Sequence, residues 1–332
     1  MEGDDYIVDP LSGMDLSQFM TTLAQKPLIL HCADYDLRML YTSFGFRPQS
    51  EVFDTMLAAR LLGYSHYSLT AMAEQLLDVA LTKKGQKSDW SRRPLTSEQL
   101  GYASDDTHYL EPLAEKLQVE LHSLGRCDWH RQTVRNMIQL TAHEQSPCEP
   151  DAQWRIKGLR SLGRRDLAFV RQLWYWRENE AKRADIPPFK IMGNQQILEL
   201  ALWAASYPTD SLIDTQIVKL PRHCTGDRLE ALKSAIRQAQ NLPETDWPKK
   251  RKRHYRSVLS SPLIKTLRAQ CSRIADELGI NPAVLAPRAA MEAIAEKRPQ
   301  TVSEIMECGP LMRWQAEVLE SVIRHVLKEH QL

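Results

Sequence analysis

Pro27-Leu-Ile-Leu-His31 is an unbroken apolar run, opened by proline and followed by a helical pattern. A short run without polar alternation reads as a strand covered on both faces, which belongs in a sheet flanked by helices. Asp34 to Phe44 supplies the next helix, with Gly45 as its C-cap. Val52-Phe53-Asp54 is a second short strand, leading into a helix that ends at Leu62. Ahead of these, Asp15 to Ala24 reads as a helix, and Tyr6-Ile7-Val8 as a short strand closed by Asp9-Pro10. That strand follows directly on the turn Met1-Glu-Gly-Asp-Asp, so the strand that should precede such a hairpin turn is absent. Together these signals predict an α/β unit.

The strand signals stop there. Ser68 opens a helix to about Leu77, a polar loop follows, and from Asp128 the pattern is helical with no convincing strand. Residues 147–150, Pro-Cys-Glu-Pro, mark a linker. Residues 154–208 form one helical segment, and a second runs from about 260 to 329, with Leu278-Gly279 and Trp314 as landmarks. Their similar size suggests a repeated bundle. Trp174 and Trp176 have the shape to stack bases, but large aromatics in a bundle usually fill its core, and at least Trp174 is assigned there. Trp247-Pro-Lys-Lys-Arg-Lys-Arg-His254 is a dense basic run, either a phosphate-binding patch or, from its place between two helical units, a solvated linker.

The chemistry-bearing stretch is Gln99-Leu-Gly-Tyr-Ala-Ser-Asp-Asp106. Thr96 and Gln99 make a capping-box pattern. Leu100, Ala103, Thr107, Leu110, Leu113, Leu117 and Leu121 recur at helical spacing, which predicts one long helix. Tyr102 and Asp106, four apart, share a face of it. A phenol beside a carboxylate suits holding a metal ion and orienting a water, and equally suits an ordinary hydrogen-bonded pair. Asp36 stands just past the carboxyl end of the apolar strand, where open α/β sheets build ligand sites, and also where an acid complements a helix dipole. His31 has the same two readings, metal ligand or satisfied core histidine. Asp4, Asp5 and Asp9 are candidate ligands or solvated turn residues. The loop Lys83-Lys84-Gly-Gln-Lys87-Ser-Asp-Trp90-Ser-Arg92-Arg93-Pro94 combines cations for phosphates with one aromatic for stacking, or is a basic solvated loop anchored by Trp90.

At 332 residues the chain holds two or three domains of roughly 100–200 residues each. A net charge of +1 supplies no global field toward nucleic acid or membrane, so any attraction is local. No apolar run is long enough to span a bilayer and no signal peptide opens the chain, which predicts a cytoplasmic protein without a membrane partner. The six cysteines are scattered, with no Cys-x-x-Cys, which argues against structural zinc. The absence of a P-loop or Gly-x-Gly-x-x-Gly argues against nucleotide-driven chemistry.

Four stretches, in order and in register, resemble bacterial ribonuclease D, a 3′-5′ exoribonuclease of the DEDDy group. They are Ile29-Leu-His-Cys-Ala-Asp-Tyr-Asp36-Leu, Val52-Phe-Asp-Thr55, Ser68-Leu with Lys-Ser-Asp-Trp-Ser-Arg-Arg-Pro-Leu95, and Tyr102-x-x-x-Asp106-x-x-Tyr-Leu110. The segments 154–208 and 260–330 resemble HRDC domains, of which ribonuclease D carries two. The resemblance implies a ribonuclease H-like α/β exonuclease domain over 1–125, then two all-α HRDC-like bundles over 150–228 and 258–330. It implies that Asp36 and Asp106 hold divalent metal, Mg²⁺ or Mn²⁺, and that Tyr102 positions the attacking water. Asp105 competes with Asp106, but only Asp106 gives the Tyr-x-x-x-Asp spacing. Lys83, Lys84, Lys87, Trp90, Arg92 and Arg93 would contact the RNA end. The implied partner is RNA, such as tRNA precursors and other structured 3′ ends, with a monomer favoured. Two ions roughly 3.5–4 Å apart activate water and stabilise the leaving oxygen in such chemistry. A phenol with an ordinary pKa of about 10 stays protonated near neutrality, so Tyr102 orients water rather than acting as a strong base.

The sequence departs from the family at one point. No Asp-x-Glu, the family's first motif, lies upstream of Asp36. The expectation is an exonuclease domain shortened at its N-terminus, missing its first strands through a misplaced start, with weak or no activity. The rival is a catalytically dead nucleic-acid-binding protein that uses its HRDC-like helices. A third reading, a DNA exonuclease tied to a RecQ-type helicase, predicts preference for DNA over RNA.

Overall fold

The computed structural model describes residues 5–143, 153–206, 220–250 and 262–330. Asp4, the 147–150 linker and residues 251–254 of the basic run lie outside the described residues. The chain divides into two compact units, residues 1–145 with 255–332, and residues 146–254.

The first unit opens with α1 (Ser17–Ala24), β1 (Leu28–Leu30), α2 (Ala33–Phe44), β2 (Val52–Asp54) and α3 (Thr55–Leu62). β1 and β2 pair in parallel, with Leu28 opposite Val52 and Leu30 opposite Asp54. The predicted Tyr6–Val8 strand does not form. These residues are coil with exposed side chains, Tyr6 at 84%, because among the described residues no neighbouring strand pairs with them. Next come α4 (Leu69–Leu77), α5 (Ser97–His108), α6 (Leu110–Ser123) and α7 (Cys127–His143). The single long helix read from the 100–121 periodicity is two helices, broken at Tyr109 (φ −95°, ψ 1°). Only its second half buries the leucine stripe, at Leu110, Leu113, Leu117 and Leu121, whereas Leu100 and Thr107 stay exposed. α5 is thus held by its caps and its loop more than by core burial.

The second unit comprises α8 (Arg164–Ala184), α9 (Pro188–Ile191), α10 (Asn194–Ser206) and α11 (Gly226–Gln240). α8 is its centre and packs against the other three. The core aromatics are Trp154, Phe169 and Trp176. Trp174 is only half-buried and lies against that core, since the helix turns Trp176 inward in its place.

The chain returns to the first unit with α12 (Pro262–Glu277), α13 (Pro282–Leu285), α14 (Arg288–Lys297), α15 (Val302–Cys308) and α16 (Arg313–Glu329). These helices share one continuous core with α3, α4 and α6: Ala58, Leu61, Met72, Leu113 and Leu121 cluster with Leu267, Ile280, Leu285, Trp314 and Leu319. Trp129 on α7 stacks on Trp314, rings 4.4 Å apart and 16° from parallel. The backbone of Gly63, at the end of α3, approaches Gly279 so closely that a Cβ at 63 would lie 1.8 Å from the Gly279 carbonyl oxygen. Beside it the buried Arg126 guanidinium donates to the Leu61 carbonyl at 2.7 Å and the Leu278 carbonyl at 2.5 Å. The architecture is an α/β exonuclease-like domain followed by two helical HRDC-like bundles.

Candidate active site

Asp54 fixes the frame of the site. It ends β2, is buried, and caps α3 by accepting from the Met56 and Leu57 amides at 2.9 and 3.0 Å. The same carboxylate accepts from the Cys32 and Ala33 amides at 3.3 and 2.8 Å, which ties the start of α2 to the end of the sheet. Four backbone donors consume its acceptor capacity, so it holds two helix N-termini rather than a ligand. His31 serves the same frame. Its Nδ1 meets Thr55 Oγ1 at 2.8 Å, its environment is largely buried, and that burial lowers its pKa, so it belongs to the core and not to a metal site. The aspartate was visible in the Val52-Phe-Asp-Thr55 motif. Its role was legible only as an N-cap, an Asp immediately before a helical run.

Asp36 stands in the first turn of α2 and stays accessible. Asp106 stands in the last turn of α5, also accessible. Partial burial raises the pKa of Asp36, with the Asp54 charge adding to it. Partial burial also raises Asp106, which the Tyr102 hydrogen bond opposes and the charges of Asp105 and Asp36 reinforce. Asp36 and Asp106 therefore sit within each other's field although 70 residues separate them in sequence. Neither forms an ion pair with Arg or Lys among the described residues. Burial first, then the Asp106 carboxylate, raises the phenol pKa of Tyr102, and the neighbouring Gln86 side chain lowers it. Tyr102, Asp106 and Asp36 are thus brought together. Asp105 contributes charge to the neighbourhood.

The basic loop lies along α5. The Trp90 ring is 6.1 Å from the Tyr102 ring, and Gln99, which completes the capping box with Thr96, donates its amide to the Asp89 carbonyl at 3.1 Å. Lys83, Lys84 and Lys87 are exposed. Arg92 pairs with Asp89 at 3.3 Å, and its side chain is 84% exposed. Arg93 is occupied differently: its guanidinium holds Asp9 through two bonds and also donates to the Trp90 and Arg92 carbonyls. Arg93 draws the Asp9 carboxyl down to about 2. Asp5 accepts from Ser104 at 2.5 Å and meets His108 at 3.0 Å. Ser104 lies about 200° around the helix from Tyr102, so Asp5 is on the far face. Asp5 and Asp9 therefore fasten the first residues to α5 and the loop, and neither joins Asp36 and Asp106.

Carboxylates suit Mg²⁺ or Mn²⁺, and Mg²⁺ is commonly held by one or two of them with water and phosphate oxygens filling the rest. Asp36 and Asp106, with no cation beside them, fit one such ion. No group of three or more His, Cys, Asp or Glu able to hold a metal occurs among the described residues, so a fully protein-held pair of ions is not supported.

A family model described as 3′-5′ exonuclease matches residues 1–122, and one described as HRDC domain matches residues 166–210 and 260–319. Ribonuclease D of Desulfotalea psychrophila is 29% identical over 284 residues, covering 84% of this chain and 74% of that protein. Ribonuclease D of Pseudomonas paraeruginosa is 28% identical over 298 residues, covering 87% and 76%. The crystal structure of Escherichia coli RNase D superposes with a TM-score of 0.69 at 23% identity, covering 98% of this chain and 85% of that one, a likeness of fold.

Proposed function

The chain belongs to the ribonuclease D family, a family of exoribonucleases, and from that premise we propose that it trims the 3′ ends of structured RNAs such as tRNA precursors by divalent-metal-dependent hydrolysis in the cytoplasm. The observation that carries this reading is the meeting of Asp36, Asp106 and Tyr102 from two separate helices at the open end of the sheet. Asp36 and Asp106 would hold Mg²⁺ or Mn²⁺; bound there, the ion supplies positive charge against the phosphodiester and a more acidic water. The protonated phenol of Tyr102 orients the attacking water. Lys83, Lys84 and Lys87 attract the backbone phosphates, and Trp90 offers a face to the terminal base. With two carboxylates, activity is expected to be weak.

The test is 3′-end shortening of a 5′-labelled RNA with a free 3′-hydroxyl, in Mg²⁺ and separately in Mn²⁺, beside DNA of the same sequence. The wild-type chain is expected to shorten the RNA stepwise, and Asp106→Asn to lose at least about 100-fold in rate, the scale of removing one electrostatic group from a hydrolytic site. Because the described residues bring only two carboxylates together, a second reading stands beside the first: a nucleic-acid-binding protein without turnover. RNA that is bound but not shortened in either metal would establish that reading in place of the nuclease.

A further inference from the structure

The guanidinium of Arg93 is spent inside the protein. A guanidinium has five N–H donors in a fixed fork. Nε and Nη2 of Arg93 donate to the two carboxylate oxygens of Asp9, at 2.6 and 2.5 Å. Nη1 donates to the Trp90 and Arg92 carbonyls, at 2.8 Å each. Four of the five donors are thereby engaged, and a carboxylate faces the charge. A guanidinium kept for phosphate would turn its fork outward; this one is turned to residues 9, 90 and 92.

Both ends of this contact are fixed by other bonds. Asp9 heads a short 3₁₀ turn, Pro10–Ser12, where its Oδ1 also accepts from the Leu11 amide at 3.0 Å and its carbonyl accepts from the Ser12 hydroxyl at 2.8 Å. Four residues earlier, Asp5 binds Ser104 and His108 on α5. The segment that carries Asp9 is thus attached to the helix of Tyr102 independently of the loop. On the loop side, two successive carbonyls are held: that of Asp89 by Gln99 on α5, at 3.1 Å, and that of Trp90 by Arg93. The Asp89 side chain tightens the same turn, accepting from the Ser91 amide and hydroxyl at 3.1 and 2.6 Å. Trp90 therefore lies between a peptide group fixed from α5 and one fixed through residue 9. Its half-buried ring is set 6.1 Å from that of Tyr102, inclined by 58°.

We propose that Asp9 and Arg93 are positioning residues for Trp90: Asp9 holds the Arg93 guanidinium, Arg93 holds the carbonyls of Trp90 and Arg92, and the tryptophan ring is thereby presented to the RNA end beside Tyr102. The inference deepens the RNA reading of this site and rests on Trp90 meeting the RNA. It separates the loop's cations into lysines that face phosphate and an arginine that shapes the loop.

The test uses the full chain labelled with fluorotryptophan, the Trp90 fluorine resonance being assigned by Trp90→Phe. Asp9→Asn keeps the shape and removes the charge; Arg93→Lys keeps the charge and removes the fork. In both, the Trp90 resonance is expected to shift or broaden while those of the buried Trp154 and Trp314 stay in place. A single-stranded RNA with a free 3′-hydroxyl, titrated without divalent metal, is expected to bind about tenfold more weakly to both variants, the scale of a lost base–aromatic stack. The salt dependence of binding is expected to stay as in wild type, because no phosphate contact has been gained or lost. If Arg93 instead grips phosphate and Asp9 competes for it, Asp9→Asn binds RNA more tightly, with a salt slope steeper by about 0.7, and Arg93→Lys binds nearly as wild type. Either result overturns the inference. So does an unmoved Trp90 resonance in both variants, or one that moves only together with Trp154 and Trp314, which marks general loss of structure. If the wild-type chain binds no RNA, the RNA reading fails by itself. The resonance then still decides the positioning role: moved alone supports it, unmoved refutes it.

Discussion

Gly63 and Gly45 make a matched pair for measuring how firmly the C-terminal helices hold the α/β elements. Both are helix C-caps in the left-handed region, Gly45 at φ 64° and Gly63 at φ 90°. An alanine in that conformation costs roughly 1–2 kcal/mol from backbone strain alone. At Gly45 nothing lies within 4 Å of the added methyl, so that strain is the whole cost. At Gly63 the methyl would sit 1.8 Å from the Gly279 oxygen, and the two backbones must separate. Forced separation of packed backbones adds about 1–3 kcal/mol. Gly63→Ala is therefore expected to destabilise by about 2–5 kcal/mol and Gly45→Ala by about 1–2 kcal/mol. The assay is urea unfolding joined to hydrogen exchange, because a two-unit chain need not unfold in one step. Protection is expected to fall across α3, α12 and α13 in Gly63→Ala, and around α2 alone in Gly45→Ala. Equal costs for the two variants, or unchanged protection in α12, would refute the close approach of the two glycines and the shared core built around it.

Arg126→Met keeps the aliphatic stem and removes two charge-assisted bonds to the Leu61 and Leu278 carbonyls; a loss of about 2–4 kcal/mol in unfolding free energy is expected, since both oxygens are left without their donor. Asp54→Ala uncaps α3 and frees the start of α2, so a cost of about 2–4 kcal/mol should come with displacement of Asp36, read as lost Mn²⁺ binding by calorimetry. His130 is buried against Phe53 and donates to the Asp54 carbonyl, and burial lowers its pKa. Folded chains then bind fewer protons than unfolded ones, so stability is full above the unfolded value of about 6.5 and declines as pH falls below it. His31 is shifted the same way, and His130→Gln should flatten the decline of the thermal midpoint between pH 7 and 5. Lys84→Ala with Lys87→Ala should weaken RNA binding at every sequence and make its salt dependence shallower by about one unit for each phosphate no longer neutralised.

Local chemistry was legible from the residues. The Gly45 stop, the helix end at Leu62, the Ser68 cap and the Thr96–Gln99 box all form as helix ends. So was the change from strand-bearing to all-helical sequence. Periodicity misled at the break in α5–α6, because Leu100 and Thr107 keep helical spacing without a surface to bury against. The core assignment of at least Trp174 holds in part: Trp174 packs half-buried against a core whose fully inward tryptophan is Trp176. Tyr6–Val8 has the composition of a strand, but a strand requires a neighbour. The site was half legible. That Asp36 and Asp106 share one neighbourhood was legible from the family pattern, whereas Asp54 acts through hydrogen bonds that no window of sequence contains.

The core shared by α3, α6 and α12–α16 sets an order of events during synthesis. The cluster around Leu61 and Leu117 is completed only after Ile264, Leu319 and Val326 have been made. Residues 146–254, which have a core of their own, are complete well before that. On the ribosome the middle of the chain can therefore fold while the first unit still waits, with apolar surface uncovered, for its last helix. A chain released short of α16 would lose the cover of its first unit, and should be recognised by chaperones as unfinished rather than persist as a nuclease domain lacking an appendage.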